Sequence, residues 1–267
     1  KKKIIAEIKK KQQESKSIDK TIDKLIRQAI AEANRKAAME KAAKEKAKAD
    51  AISKANALAK AKALEKKKEI EKANALAAAK AKAASKPAPK PIPIPKEVEK
   101  AIAKVEPASE PVKSVSSTKI ELSSDGKVDS DNFKANRGKL PWPVERGYIS
   151  LGFGDQAHPV YKSLVVHNSG VEITTDQGSN ARAVFGGEVV SVMVFSPVNK
   201  AVMIQHGDYF TVYQNLSSVN VSKGDKVSIK ENIGKIRTNG DSGKTVLKFT
   251  ISQNTTYNNP ASWINNM

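Results

Sequence analysis

The first 85 residues contain neither glycine nor proline, while all fourteen glycines of the 267-residue chain lie beyond residue 125. The stretch is built mostly from Ala, Lys, Glu, Ile and Leu, which lose little freedom on entering a helix. It can hardly be anything but helical. Ile18, Ile22, Leu25 and Ala29 step by four, three and four, the spacing of a coiled-coil seam. Beyond them the seam is mostly alanine, with Met39, Ile52, Leu58, Leu64, Ile70 and Leu76 set into it, and the segment KANALA occurs at Lys54–Ala59 and again at Lys72–Ala77. That offset is five whole helical turns, so both copies present one face. An alanine seam buries little area. The helix is therefore expected to lie against another one: an upstream arm, a second copy of itself, or its own folded-back half. Residues 1–85 are predicted as a coiled-coil region.

Charge follows the same division. Residues 1–106 hold 30 Lys and Arg against 14 Asp and Glu, leaving only +3 of the net +19 for the rest. The lysines are interspersed with acids and lack interleaved arginines and aromatics, which argues for a solvated helix face and against a nucleic-acid partner. No run of about eighteen apolar residues exists to span a bilayer. With no cysteine, disulfides and thiolate chemistry are excluded and the redox compartment is left open. The lysines at 1–3 and the apolar residues 4–6 imitate the start of an export signal, but Glu7 and Lys9 interrupt it at once. The chain is read as beginning inside a helical pattern, as a mature product or a fragment.

Residues 86–112 carry seven of the twelve prolines, the first five alternating, and are predicted as a semi-rigid spacer. Within it, residues 96–106 lack proline and place Val98, Ile102 and Val105 at helical spacing. Three turns are too few to stand alone, so this short helix must dock or fray. Residues 113–139, rich in Ser, Asp and Lys, are expected to be a loosely ordered connector. From residue 140 the texture changes to short β-rich runs separated by glycine, Asp or Asn: 148–153, 170–174, 181–185, 188–195, 201–206, 209–216 and 246–252. They predict a small, mostly antiparallel β domain over 140–267.

The order of these runs resembles the LytM domain of the M23 zinc peptidoglycan endopeptidases. The likeness is carried by LPWPVERGYISLGFG (Leu140–Gly154), HPV (His158–Val160), NSGVEI (Asn168–Ile173), AVFGGEVV (Ala183–Val190) and the long run Val202–Val227. IGKI (Ile233–Ile236), VLKFTI (Val246–Ile251) and NPASWI (Asn259–Ile264) complete it. In active members, His-x-Gly-x-Asp supplies two zinc ligands, a Tyr-Ala-His-Leu strand follows, and His-Leu-His-Phe-Glu supplies a further ligand and base. Here those positions read Asn168 and Glu172, then Tyr213, Gln214, Asn215 and Leu216, then Val246, Leu247, Lys248, Phe249 and Thr250. A hydrolytic zinc needs three imidazole or carboxylate donors and an open water position. Valine has no lone pair to give and an ammonium repels the ion. The expectation is therefore no catalytic residue, no metal ligand and no cofactor. Of the three histidines, His206 and His158 are read as structural. His167 lies one residue from the motif position and should face the other way on a strand.

A long helix, a proline spacer and a LytM domain stripped of ligands together resemble the EnvC-type murein hydrolase activators, in versions like those of Bacteroidota. The resemblance implies a periplasmic cell-division factor that activates an N-acetylmuramoyl-L-alanine amidase through its groove. Its coiled coil would be held by FtsX of the FtsE/FtsX pair, with peptidoglycan as a further candidate partner. Candidate groove residues are Asn168, Glu172, Tyr213, Asn215, Val246 and Lys248, with Arg182 and Lys244 at the rim. Val98, Ile102 and Val105 would form a regulatory helix over that groove. The competing readings are a murein-binding structural adaptor and a zinc endopeptidase with ligands rearranged onto His158, His167 and Glu172.

Overall fold

A computed structural model describes residues 2–83, 90–93, 95, 119–158 and 164–265. The expected regulatory helix, with Val98, Ile102 and Val105, lies outside the described residues. One helix, α1, runs over Lys2–Ala83, as the missing glycine and proline demand. The chain divides into two compact units, Lys1–Ala37 with Val115–Met267, and Ala38–Ser114. Among the described residues no helix is long and apolar enough to cross a membrane.

The first unit is an antiparallel β structure. Its main sheet contains β1 (Tyr148–Leu151), β4 (Val171–Thr175), β11 (Thr245–Gln253), β8 (Tyr209–Val219), β7 (Asn199–His206), β6 (Gly187–Ser196) and β9 (Lys226–Val227), in that order. β10 (Asn232–Ile236) pairs with β8 and with β5 (Asn180–Arg182), and β12 (Thr256–Asn258) pairs with β11. A separate hairpin joins β2 (Gly154–Ala157) to β3 (Val165–Asn168), strands that the residue pattern did not announce.

Side chains alternate across the central strands, and both faces are apolar. One face carries Val171 and Ile173 of β4, Leu247, Phe249 and Ile251 of β11, Tyr209 and Tyr213 of β8, and Val202 and Ile204 of β7. These join Phe133, Leu140, Val144 and Trp263 in the main core. The other face carries Phe210 and Val212 of β8, Ala201 and Met203 of β7, and Met193 of β6. An antiparallel sheet commonly leaves one face to water, but this second face is too apolar for that.

It is covered by α1. Ile22, Ile26 and Ile30 recur every four residues, are buried to 1% exposure or less, and pack with Ile120 against that face. Ile18, Leu25, Ala29 and Ala33 flank them, half-buried. The seam read as one half of a coiled coil is thus a helix-on-sheet contact over this part of the chain. Burying three isoleucines contributes roughly 5–9 kcal/mol before chain entropy is counted.

The connector 113–139 also departs from expectation, since Ser124–Ala135 is a second helix, α2. Ser123 caps it, its Oγ accepting from Gly126 N at 3.2 Å, and Phe133 anchors it in the core among Phe185, His206, Tyr209 and Trp263. Gly207, at φ +68°, allows this approach: a Cβ there would come within 2.5 Å of Gly126 O and 2.6 Å of Ser130 Cβ.

His206 is structural, as expected. Its Nδ1 lies 2.7 Å from Gly186 O and its Nε2 2.9 Å from Thr211 Oγ1. Nδ1 must donate to the carbonyl, so Nε2 accepts from the hydroxyl. Burial lowers its pKa from 6.5 to about 4, the Gly186 bond opposing the shift. A depressed histidine supports the fold fully above its unfolded value and less as pH falls. Urea denaturation should therefore show stability falling by about 3 kcal/mol as the pH drops from 6.5 to about 4. His206→Gln should flatten that slope.

Candidate functional site

Of the positions that bear metal in the resembling family, Glu172, Val246 and Lys248 lie on the face of the main sheet that α1 covers. β11 pairs with β4 so that Lys248 stands opposite Glu172, and with β8 so that Lys248 stands opposite Gln214. Directly opposed residues share a face. Glu172, Lys248 and Gln214 therefore form one row, continued by Thr250 beside Val212 and Ser252 beside Phe210.

Lys248 is only 8% exposed and reaches the helix. Its Nζ donates to Asp19 Oδ1 at 2.8 Å and to Ser15 Oγ at 3.1 Å. Asp19 is itself 18% exposed, so this ion pair is largely shielded from water. One turn further along α1, Tyr257 donates its hydroxyl to Asp23. Burial raises the phenol's pKa, and the bond to Asp23 adds to the rise. Gln12 Nε2 donates to Val165 O at 3.2 Å, Glu32 pairs with Lys223 at 2.9 Å, and Asn34 holds the backbone at Lys119 and Glu121. Residues 12–34 of the helix are thus fastened to the sheet by polar contacts as well as by isoleucines.

The surface beneath it is less well satisfied. Gln214 Nε2, Thr250 Oγ1 and Ser252 Oγ are buried with no hydrogen-bond partner among the described residues. Each such group costs about 1–3 kcal/mol relative to a paired one. Glu172 adds to the strain. Burial pushes its carboxyl above the ordinary range, and the Lys248 ammonium only partly offsets this.

The remaining candidates divide. Val246 lies on this face by register, opposite Thr174, and Asn215 is next to it, donating Nδ2 to Val246 O at 3.3 Å. Asn215 adopts φ 66°, a left-handed conformation that asparagine tolerates better than most residues. Asn168 is buried and occupied with its own loop: Nδ2 donates to Gly152 O at 2.9 Å and Oδ1 accepts from Gly170 N at 3.3 Å. Tyr213 is a correction. It opposes Phe249 and points into the main core, where its hydroxyl accepts from Val184 N at 2.9 Å. Burial pushes its pKa up to about 12. The groove-facing residue of that strand is Gln214. Arg182 is not part of the row either: on β5 it donates Nε to Trp142 O at 3.0 Å. Lys244 is exposed in the turn before β11.

Sequence reasoning missed Ser15, Asp19 and Asp23. Their signal was present, since Asp19 and Asp23 each stand three residues before a buried isoleucine, but it was read as solvated charge. His167 does face away from Asn168, and its Nδ1 lies 2.7 Å from Asp155 on the exposed hairpin. Among the described residues no three of His, Asp and Glu gather where a metal could be held.

The family model described as Peptidase family M23 matches residues 166–260. That portion is an M23, LytM-type domain, preceded here by a long N-terminal helix. Similar solved structures include Csd3 of Helicobacter pylori, 28% identical over 48% of this chain and 35% of that one, with a TM-score of 0.39. A chain of the SpoIIQ–SpoIIIAH pore-forming complex is 26% identical over 48% of this chain and 92% of that one, with a TM-score of 0.41. A zinc-containing peptidase from Vibrio cholerae is 23% identical over 47% and 40%, with a TM-score of 0.39. The chain thus spans about a third of the length of Csd3. No curated protein sequence matches it.

The residues present do not fit the zinc ion of that family. The row offers one carboxylate, an ammonium committed to Asp19 and a primary amide, and Asn168 spends its amide on backbone. Because Glu172 lies above its unfolded value, its contribution to stability is present in acid and is lost as pH rises through its raised pKa. Glu172→Gln should therefore gain stability over wild type progressively from acid to neutral pH, as read by urea denaturation at stepped pH. An unchanged difference across that range would contradict the buried-carboxylate assignment.

Proposed function

We propose that this chain is a non-catalytic activator of N-acetylmuramoyl-L-alanine amidases, of the EnvC type, acting in the periplasm during cell division. The amidase would bind the face formed by Glu172, Lys248 and Gln214, and FtsX would act on the long helix. The observation that carries this reading is the cover. The face where the resembling peptidases hold zinc is here lined by an ion-paired lysine and closed by the chain's own helix.

Such a face favours a reversible occupant. Ile22, Ile26 and Ile30 hold α1 down, while orphaned polar groups and a buried carboxyl below it oppose the closure. An activator must distinguish two states of its partner, because equal affinity for both shifts nothing. In this scheme release of α1 exposes the apolar strip of Phe210, Val212 and Met203 together with Lys248, and the amidase takes the vacated surface. The murein-adaptor reading lacks a comparable observation. The rearranged-zinc reading is opposed by His167, which is engaged with Asp155 on an exposed hairpin.

Placing charge in the helix–sheet contact tests the scheme. The double variant Ile22→Asp, Ile26→Asp should release dye from labelled murein faster than wild type when mixed with an amidase, and should release none alone. Amide hydrogen exchange over residues 18–34 should rise in parallel. Faster exchange with unchanged or lower amidase stimulation would count against activation through this face, and dye release without an amidase would count for an enzyme.

A further inference from the structure

Asparagine is a poor residue for a helix interior, yet α1 holds three, Asn34, Asn56 and Asn74, each directly after an alanine. Two of them do the same work. Asn34 donates Nδ2 to Lys119 O at 2.8 Å and accepts from Glu121 N at 2.6 Å. Asn74 donates Nδ2 to Ile92 O at 3.1 Å and accepts from Ile92 N at 2.9 Å. In both, one primary amide grips non-helical backbone through a donor and an acceptor side by side. Such a grip reads backbone conformation, with little regard for the side chain it holds. In sequence, Ile92 belongs to the run Lys-Pro-Ile-Pro-Ile-Pro, residues 90–95. Proline lacks an N–H and favours the extended polyproline form, so Ile92 between Pro91 and Pro93 presents its N–H and C=O at little entropic cost.

Asn56 stands eighteen residues before Asn74, so the two amides leave the helix in one direction. The repeat extends beyond KANALA: Lys48 matches Lys66, Ile52 matches Ile70, Lys62 matches Lys80 and Ala63 matches Ala81. Around the occupied amide, Ile70, Asn74 and Ala77 are half-buried, whereas the equivalent Ile52, Asn56 and Ala59 are exposed. Among the described residues no hydrogen bond reaches the Asn56 amide.

We propose that Ile52, Asn56 and Ala59 form a docking site for an extended Pro-x-Pro segment of a partner protein, gripped by Asn56 as Asn74 grips Ile92. The chemistry of the occupant follows from the one already seated on the sister site. Ala55, Ala57 and Ala59 leave the helix surface low enough for a backbone to approach, and Ile52 holds the place next to Asn56 that half-buried Ile70 holds next to Asn74. The chain's own proline segment is engaged at Asn74, so the occupant of Asn56 comes from elsewhere.

The test uses the full chain labelled with nitrogen-15 and a synthetic peptide, Lys-Pro-Ile-Pro-Ile-Pro, in millimolar excess. The side-chain amide pair of Asn56, identified by its loss in Asn56→Ala, should shift saturably. Asn56→Ala should weaken peptide binding about tenfold, the effect of two net hydrogen bonds, while Asn74→Ala should not. Alanine is the better helix former, so the variant keeps the helix. Replacing both isoleucines of the peptide by proline removes every N–H between prolines and should abolish the shift. Perturbation confined to Asn74, peptide binding indifferent to Asn56→Ala, or a shift that follows protein concentration without peptide would each overturn the proposal.

Discussion

The first unit depends on a sheet that is apolar on both sides. β8 reads Tyr209, Phe210, Thr211, Val212, Tyr213, and every one of these residues is buried. Odd positions face the main core and even positions face outward, so Phe210 and Val212 require a second cover. α1 supplies it with isoleucines every fourth residue. A four-residue step drifts only about 40° around the helix per repeat, so three isoleucines stay on one stripe and lie flat on the sheet. The contact explains why residues 1–37 belong to the β unit even though they are contiguous with a helix running to Ala83.

Across that contact the electrostatics work against the packing. Lys248 loses water when α1 closes, and only Asp19 and Ser15 replace it. A buried pair recovers its desolvation cost only with excellent geometry, and Glu172 shares the same low-dielectric neighbourhood without sharing Lys248's partner on the helix. Three further polar atoms on this face go unpaired among the described residues. The apolar stripe therefore holds the helix over a polar row that the helix satisfies only in part.

The sheet was largely legible in the sequence because alternation, turns and glycines mark strands locally. Gly170 illustrates this: a Cβ there would come within 2.2 Å of Phe249 O, so the NSGV run fixes where β4 meets β11. The partner of α1 was not legible. An isoleucine stripe records that something apolar covers it and says nothing of whether that is a helix or a sheet. α2 was hidden by its composition, since Ser, Asp and Gly suggest a loop and only Ser123 and Phe133 carried the opposite signal. Tyr213 was misplaced because a motif alignment fixes a position along a strand while the pleat fixes the face. Its register partner Phe249, read as core, would have put it on the right side.

The lysine at 248 and the helix that covers it are linked by charge. On a covered, partly dry sheet face an ionisable side chain must find a partner or become neutral. Lysine at 248 satisfies the first condition only with a carboxylate arriving from outside the sheet, which Asp19 provides. Once the carboxylate is carried on a helix, whatever displaces the helix must bring a negative group of its own or leave the lysine uncompensated, a cost of several kcal/mol. Under the proposed activation, Lys248 therefore sets the chemistry of the amidase segment that would take this face: an acidic group beside an apolar stripe, matched to the strip of Phe210 and Val212.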